Sequence, residues 1–431
     1  MKLPQKDQDN LFEELLEELP PDLEELAKEF KVLVRSRKIK TPQELLRLVL
    51  LYCGLDQSLR EVASTFTLLE ERITDEAVRK RLLACEPWVK ALLSKMLPRY
   101  TPENLPDGLR FIAFDGSSIQ APGATGTDYR LHIGIDLVSL EFTHLVVTDK
   151  YTGESLKQYP LGDGDVAVVD RGLCHANAIL EIQKDGADVI ARYHYASMPL
   201  YHDDEIAFDL VNWLKRGNAT YQSHSVLGGA LHKEKVNGYI IALRLSEKEA
   251  RIARRRCRKE AARKGRATPS QKTLDLAGFI LVFSTLSPHI LSADILLELY
   301  KCRWQIELTI KRLKSLLDID ELRSKKGLAI VWLNGKLLYA LMLEKRLRRR
   351  LGDHKWYLNH ERFGTLWRPW KLLKQEIAPM ITGVYFWCVE NWPVALSVLF
   401  ERPRCRKLQT LPKSVIKLLQ FYPNLPVPNF N

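Results

Sequence analysis

The sequence predicts an α/β protein: a mixed-sheet core interrupted by an inserted segment, with helical regions at both ends. Three observations carry this. Residues 1–100 show helical periodicity with helix start signals. From residue 109, short runs rich in β-branched and aromatic residues follow one another, three in hairpin-like succession and two more separated by a helical stretch. After an irregular stretch over residues 195–275, one more strand-like run leads into a helix that closes the pattern.

In the N-terminal region, Thr41-Pro-Gln-Glu is a helix start with Pro in the first turn, and Cys53-Gly54 ends that helix. Ser58 and Glu61 stand at capping-box spacing, and Thr74 or Asp75 caps a further short helix. Two short helices joined by a turn, the second carrying Arg79, Lys80 and Arg81, suit a helix-turn-helix reader of DNA. They equally suit a plain bundle with solvated cations. Arg79 and Arg81 are the candidate DNA contacts of this region. The Pro-rich stretch Leu97–Gly108 marks a boundary.

The expected strands of the core are Leu109–Phe114, ending in Asp115-Gly116, then Tyr129–Ile135, Phe142–Thr148, Asp165–Val169 and Gly186–Arg192. The fourth is too apolar for one-sided burial and should be central; it ends at Asp170-Arg171-Gly172. Residues 195–275 mix strand-like pieces (Ser223–Leu227, Gly238–Leu245) with a helical one (Ile206–Leu214). They also hold a run, Arg251–Arg266, with nine cations against one Glu, which reads as a solvated or disordered arm or as a contact for phosphates. Sheet resumes at Leu276–Ser284. Beyond Leu317 helices return (Gly335–Leu351, Lys371–Glu376), and the Pro-rich tail from Leu411 is expected to fray. The divisions are therefore 1–100, 105–194, 195–275, 276–320 and 321–431.

Composition narrows the function. The net charge of +12 favours a polyanionic partner, nucleic acid first. Seven cysteines without a CxxC pair speak against a zinc site or a disulfide framework and place the chain in the reducing cytoplasm. No apolar run is long enough for a membrane span, and the acidic, amphipathic N-terminus is unlike a signal peptide.

The chemistry gathers around Tyr300–Lys314, which has neither Gly nor Pro and is expected to be one helix after a start at Ser292-Ala-Asp. At about 100° per residue, Tyr300, Arg303, Glu307 and Lys314 share an arc of roughly 60°, beside a stripe of Ile295, Leu299, Ile306, Ile310, Leu313 and Leu317. Trp304 points about 60° away from Glu307 and reads as core. Alone, this is a solvated face with an Arg303–Glu307 pair. Asp115 and Asp170, however, each end an apolar strand, and strand ends are where α/β sites collect. With Glu307 they make three carboxylates whose repulsion calls for a divalent cation. Oxygen-only ligation suits Mg²⁺ or Mn²⁺, and two such ions can activate a water or 3′-hydroxyl against a phosphodiester. Tyr300, Arg303, Lys311, Lys314 and Arg171 are the candidate DNA contacts here. Asp136, Asp149, Asp163 and Asp165 lie on or beside the same strands and compete for these roles.

The spacing Tyr300-x₂-Arg303-x₃-Glu307-x₆-Lys314 resembles the Y-R-E-K signature of the bacterial insertion-sequence transposases headed by insertion sequence four. Phe-Asp115-Gly and Val-Val-Asp170-Arg-Gly are similar to that family's first two acidic motifs. The resemblance covers roughly residues 105–320. It implies an RNase H-like core with a mainly β insertion domain, and Asp115, Asp170 and Glu307 as ligands of two Mg²⁺ ions. It implies cut-and-paste transposition, with cleavage of terminal inverted repeats in double-stranded DNA and joining to target DNA. It further implies a hairpin intermediate with a flipped base stacked on an aromatic, for which Trp213 is a candidate, and a homodimer held partly by the C-terminal region. The place of action is then the bacterial nucleoid. A transposase-derived repressor and a structure-selective nuclease with the same core are the alternative readings.

Overall fold

A computed structural model describes residues 5–34, 37–98, 109–265, 268–323, 327–351 and 367–383. Six helices come first: α1 (Gln5–Leu16), α2 (Leu23–Glu29), α3 (Pro42–Val49), α4 (Leu59–Leu69), α5 (Asp75–Ala84) and α6 (Glu86–Met96). Their ends follow local chemistry. The Thr41 hydroxyl accepts from Glu44 N at 3.1 Å, Ser58 and Glu61 cap each other's backbone, and Thr74 accepts from Ala77 N at 3.2 Å. Helix α3 runs on into a π-helical turn, Leu50–Gly54.

The core follows as β1 (Arg110–Ile119), β2 (Tyr129–Asp136), β3 (Phe142–Asp149), β4 (Asp165–Val169), α7 (Ala176–Lys184) and β5 (Asp188–Arg192). Residues 195–275 then supply β6 (Leu200–Tyr201), α8 (Leu210–Arg216), β7 (Tyr221–Gly228), β8 (Val236–Arg244), α9 (Glu247–Arg263) and α10 (Gln271–Leu276). The chain returns through β9 (Phe279–Ser284), α11 (Ala293–Cys302), α12 (Trp304–Leu317), α13 (Leu328–Leu351) and α14 (Trp367–Thr382).

All nine strands form one mixed sheet, in the order β3-β2-β1-β4-β5-β9-β8-β7-β6. The pairs β1/β4 and β4/β5 are parallel; every other pair is antiparallel. Strand β4 is central and buried throughout, as its apolar run predicts. Because β9 pairs with both β5 and β8, the strands of the inserted stretch continue the same sheet. That stretch holds more helix than strand. Its basic run folds as α9, started by a capping box in which Ser246 accepts from Glu249 N at 3.3 Å and Glu249 from Ser246 N at 3.0 Å.

Three expectations need correction. Strand β1 does not end at Asp115 but runs on to Ile119, because its hairpin partner β2 continues the pairing as far as Ile119↔Tyr129. The expected single helix through Tyr300 is two: the chain tightens at Arg303, whose N–H donates to Tyr300 O at 3.1 Å, and α12 starts afresh. Helix α13 begins well before Gly335, and its first residues, Leu328 and Ala329, are already buried.

The sheet has two covered faces. One core joins α7 and α8 to Ile112, Phe114, Ala167 and Val169. On the other face α11 packs on Val166, Val168 and Ile190. Beside it a larger core joins the N-terminal helices, β2, β3, α12, α13 and α14. Gly335 of α13 lies so close to the π turn that an added Cβ would stand 2.6 Å from Cys53 Sγ. Among the described residues no helix is long and apolar enough to cross a membrane. Residues 99–108 of the expected linker, Arg266 of the basic run and the tail from Leu411 lie outside the described residues.

Candidate active site

Side chains alternate along a strand, so parity decides which face each carboxylate takes. On β4, Val166 and Val168 pack under α11, and Asp170 follows with the same parity. On β1, Phe111 and Ala113 face that side and Asp115 follows them. The parallel register pairs Phe114 with Val169, so one step further sets Asp115 beside Asp170. The site therefore lies where β4 ends, while β1 runs past it.

Helices α11 and α12 bring the remaining groups. Tyr300, buried at the end of α11, donates its hydroxyl to Asp170 Oδ1 at 3.3 Å. Arg303, at the junction of the two helices, has its guanidinium 5.9 Å from the centre of the Tyr300 ring and forms an ion pair with Glu307 on the first turn of α12. The junction lets one arginine face both the Tyr300–Asp170 pair and Glu307. Burial pushes the Asp115 carboxyl above its usual range; the Gly116 N–H (2.9 Å) and Arg303 pull it down, and Glu154 and Glu307 push it further up. Burial, then Asp170, raises the Tyr300 phenol. For Arg303, burial acts downward, and Tyr300, Glu307 and Asp170 more than offset it.

These shifts link Asp115, Asp170, Tyr300, Arg303 and Glu307 in one field, with Arg303 as its central cation. Among the described residues no three His, Cys, Asp or Glu side chains stand close enough together to hold a metal ion as they are. Glu307 is turned to Arg303 instead. The donor chemistry nonetheless fits a hard divalent cation: the carboxylates at hand are all oxygen donors, and Glu154 and Glu307 add to the burial that raises Asp115.

Other predicted contacts fall elsewhere. Lys314 is two turns beyond Glu307, 3.9 Å from Asp320. Lys311 and Arg171 are exposed, Arg171 in the 3₁₀ turn that follows Asp170. On α5, Arg79 is held by both oxygens of Glu76 at 2.8 Å, and Arg81 donates to Val32 O at 3.4 Å, so both are engaged within the protein. Trp304, expected in the core, is 56% exposed; at about 100° per residue it lies opposite the stripe of Ile306, Leu313 and Leu317, and its offset from Glu307 points away from that stripe. It lines a cavity of about 180 Å³ with Arg192, Leu297, Tyr300 and Arg303. Trp213 instead packs against Phe208 and His224 in the inserted stretch. Of the expected apolar stripe, Ile306, Leu313 and Leu317 are buried, whereas Ile295 is exposed.

Three of the competing aspartates are absorbed locally, and Asp163 is exposed before β4. Asp165 makes a two-point pair with Arg110 (2.7 and 2.8 Å). Asp136 closes the β2–β3 turn by accepting from Val138 and Ser139 N, and Asp149 accepts from Tyr151 and Thr152 N.

Two site residues escaped the sequence reading. Glu154, in the loop after β3, lies over Gly116 and is held by Arg130 at 3.1 Å. A Cβ at position 116 would sit 2.8 Å from its carboxyl carbon, so a side chain there would have to displace the Glu154 carboxylate. Tyr159 donates to Asp115 O at 3.4 Å. No periodicity or spacing marks either one; the Gly after Asp115 was the only trace.

Comparison with known proteins identifies relatives that cover most of the chain. Residues 106–343 match the family model described as a transposase DDE domain. The transposase of insertion sequence element IS421 from Escherichia coli is 32% identical over 339 residues, covering 75% of this chain and 90% of the relative. The InsL protein of insertion sequence element IS186A from Escherichia coli K12 is 32% identical over 338 residues, with the same coverage.

Proposed function

The chain belongs to the DDE transposase family, enzymes that cleave DNA and transfer strands, and on that premise we propose that Asp115, Asp170 and Glu307 are its catalytic carboxylates. The observation that carries this is the Tyr300–Asp170 hydrogen bond beside the Arg303–Glu307 ion pair, which brings the helix glutamate to the strand end that carries Asp170. The family implies a divalent metal. Asp115 and Asp170, with Glu307, would hold it, and Arg303 supplies the counter-charge that Glu307 would otherwise take from the ion. When bound, Mg²⁺ or Mn²⁺, two ions in the full form, supplies a nucleophilic oxygen and stabilises the leaving oxygen.

The protein's own groups do the positioning. Tyr300 fixes the carboxylate plane of Asp170, and the Gly116 N–H and Tyr159 fix Asp115 and its backbone. Arg303 receives a DNA phosphate while holding Glu307 in place. Exposed Arg171 and Lys311 add contacts to the backbone on either side, and Lys314 joins them from its weak pair with Asp320. The reaction is cut-and-paste through a hairpin, in two copies that each engage one inverted repeat. Trp304, above the cavity beside Tyr300, takes over from Trp213 as the aromatic against which an unpaired base stacks.

Glu307→Gln tests this reading. Binding to a duplex carrying the terminal repeat stays within about twofold, and strand cleavage in Mg²⁺ falls by about 10³-fold or more. Cleavage at the wild-type rate would remove Glu307 from the set. A plasmid assay with matched inverted repeats separates the alternatives: excision with rejoining marks a transposase, cutting alone a nuclease, and binding alone a repressor.

A further inference from the structure

Helix α9 carries a row of charge that no ion pair among the described residues takes up. Its inner face is Ala250, Ala253, Arg254, Cys257 and Ala261. Of these Ala250 is buried, and Arg254 is engaged, its Nε donating to Leu274 O at 3.1 Å. Its outer face is a different composition. Arg251, Arg255, Lys259 and Arg263 follow one another at intervals of four residues, and all four are exposed. A four-residue step is about 6 Å along a helix, so they form one row about 18 Å long. Among the described residues no carboxylate lies within ion-pair distance of any of the four; Glu260 is taken by Lys264 at 2.6 Å. Like charges at this spacing oppose the helix. The capping box at Ser246–Glu249 and the anchoring of Arg254 hold it in spite of the row.

The row is not remote from the site. The Glu260 carboxyl is held below its usual range first by Lys264 and, among further causes, by Arg171, the residue next to Asp170. Strand β8 runs parallel to β4 and β5, with β9 antiparallel between β5 and β8, so α9 leaves the sheet at the edge where β4 ends in Asp170, and its N-terminal half packs on α10 through Arg254.

Resting on the transposase reading above, we propose that the row Arg251–Arg255–Lys259–Arg263 is a track for the sugar-phosphate backbone of duplex DNA next to the cleaved bond, with Arg263 nearest the bond and Arg251 farthest from it. A row about 18 Å long spans about five phosphates of one strand. Four cations placed by a helix and making no base contact bind without regard to sequence, and they hold the duplex in line with Asp115 and Asp170. They supply affinity and alignment, and recognition of the terminal repeat comes from elsewhere in the chain.

The test uses the full-length protein and two duplexes of equal length, one with the terminal repeat and one scrambled. Each neutralised phosphate adds about 0.9 to the slope of log K against log salt. Replacing Arg251, Arg255, Lys259 and Arg263 together by Ala is expected to lower the slope by about 3 to 4, equally on both duplexes. The variant Arg251→Lys, Arg255→Lys, Arg263→Lys keeps the wild-type slope. On the unsubstituted protein, phosphate ethylation blocks binding at a run of about five phosphates beginning at the cleaved bond. An unchanged slope in the Ala variant, a loss confined to the terminal repeat, or interference away from the cleaved bond would overturn the proposal. That failure is distinct from failure of the transposase reading, which would appear as absent cleavage by the unsubstituted protein.

Discussion

The molecule holds two ion pairs of opposite character. Arg303–Glu307 stands at the edge of the sheet with side-chain exposures of 12% and 32%, beside a cavity and two further carboxylates. Lys336–Asp56 stands between α13 and the chain just after the π turn at 2.5 Å, with exposures of 0% and 9%. There Asp56 also accepts from Trp332 Nε1 at 3.2 Å, and the Lys336 ammonium lies 4.9 Å from the centre of the Trp332 ring. The closed pair has its hydrogen bonds filled from within the fold and no room for another partner. The open pair is half of a larger set and is arranged to exchange partners. Charge inside a protein therefore serves structure or chemistry according to whether its surroundings are complete, not according to the residues involved.

The largest effect that separates the two falls on the closed pair. Lys336→Met leaves Asp56 buried without its cation. Breaking such a pair costs about 3–5 kcal/mol, read as a lower urea midpoint with an unchanged m-value. Arg303→Met at the open pair should cost under about 1 kcal/mol of stability while weakening DNA binding and cleavage. Equal destabilisation by the two substitutions would erase the distinction.

Legibility divides along similar lines. Features written within one turn or one strand were readable: the caps at Thr41, Ser58 and Thr74, the buried run of β4, and the Tyr300–Lys314 spacing that identified the transposase family. Features that depend on a distant partner were not. Strand β1 passes Asp115 because β2 pairs with it to the end. The continuity of the sheet through residues 195–275 depends on β9 pairing on both sides. Glu154 is linked to Asp115 only by folding, and its sequence neighbours say nothing about it.

A third cluster, behind the site, sharpens the comparison through pH. Glu344 of α13 is buried against α12 and β3; it accepts from Phe142 N at 3.4 Å and from Arg348 at 3.5 Å, while Arg348 also pairs with Glu141 at 3.0 Å. Burial pushes the Glu344 carboxyl up to about 7 from an ordinary 4.5, and burial pulls nearby Arg312 down to about 10. Between pH 4.5 and 7 the folded chain keeps a proton that the unfolded chain has lost, so this group makes stability fall as pH rises through that window and contributes no slope outside it. Glu344→Gln should therefore flatten the change in unfolding free energy between pH 5 and pH 7.5, and the variant should gain relative to wild type as pH rises. A wild-type slope retained in the variant would assign the pH dependence to other groups.

The narrowest test concerns Tyr300, where the open cluster meets the core. Its ring packs with Leu296 and Leu297 under the sheet, and its hydroxyl reaches Asp170 at 3.3 Å. Tyr300→Phe keeps the ring and removes one hydrogen bond to a charged group, a loss of about 1.5–3 kcal/mol at most. If that bond serves packing, the loss appears as lowered thermal stability with unchanged cleavage. If it orients Asp170, cleavage slows by about tenfold or more at saturating DNA, and the melting temperature and DNA affinity stay near wild type. Single-turnover cleavage and thermal unfolding measured on the same preparation distinguish these outcomes, because the Arg303–Glu307 pair is present in both proteins and only the tie between Asp170 and α11 has been cut.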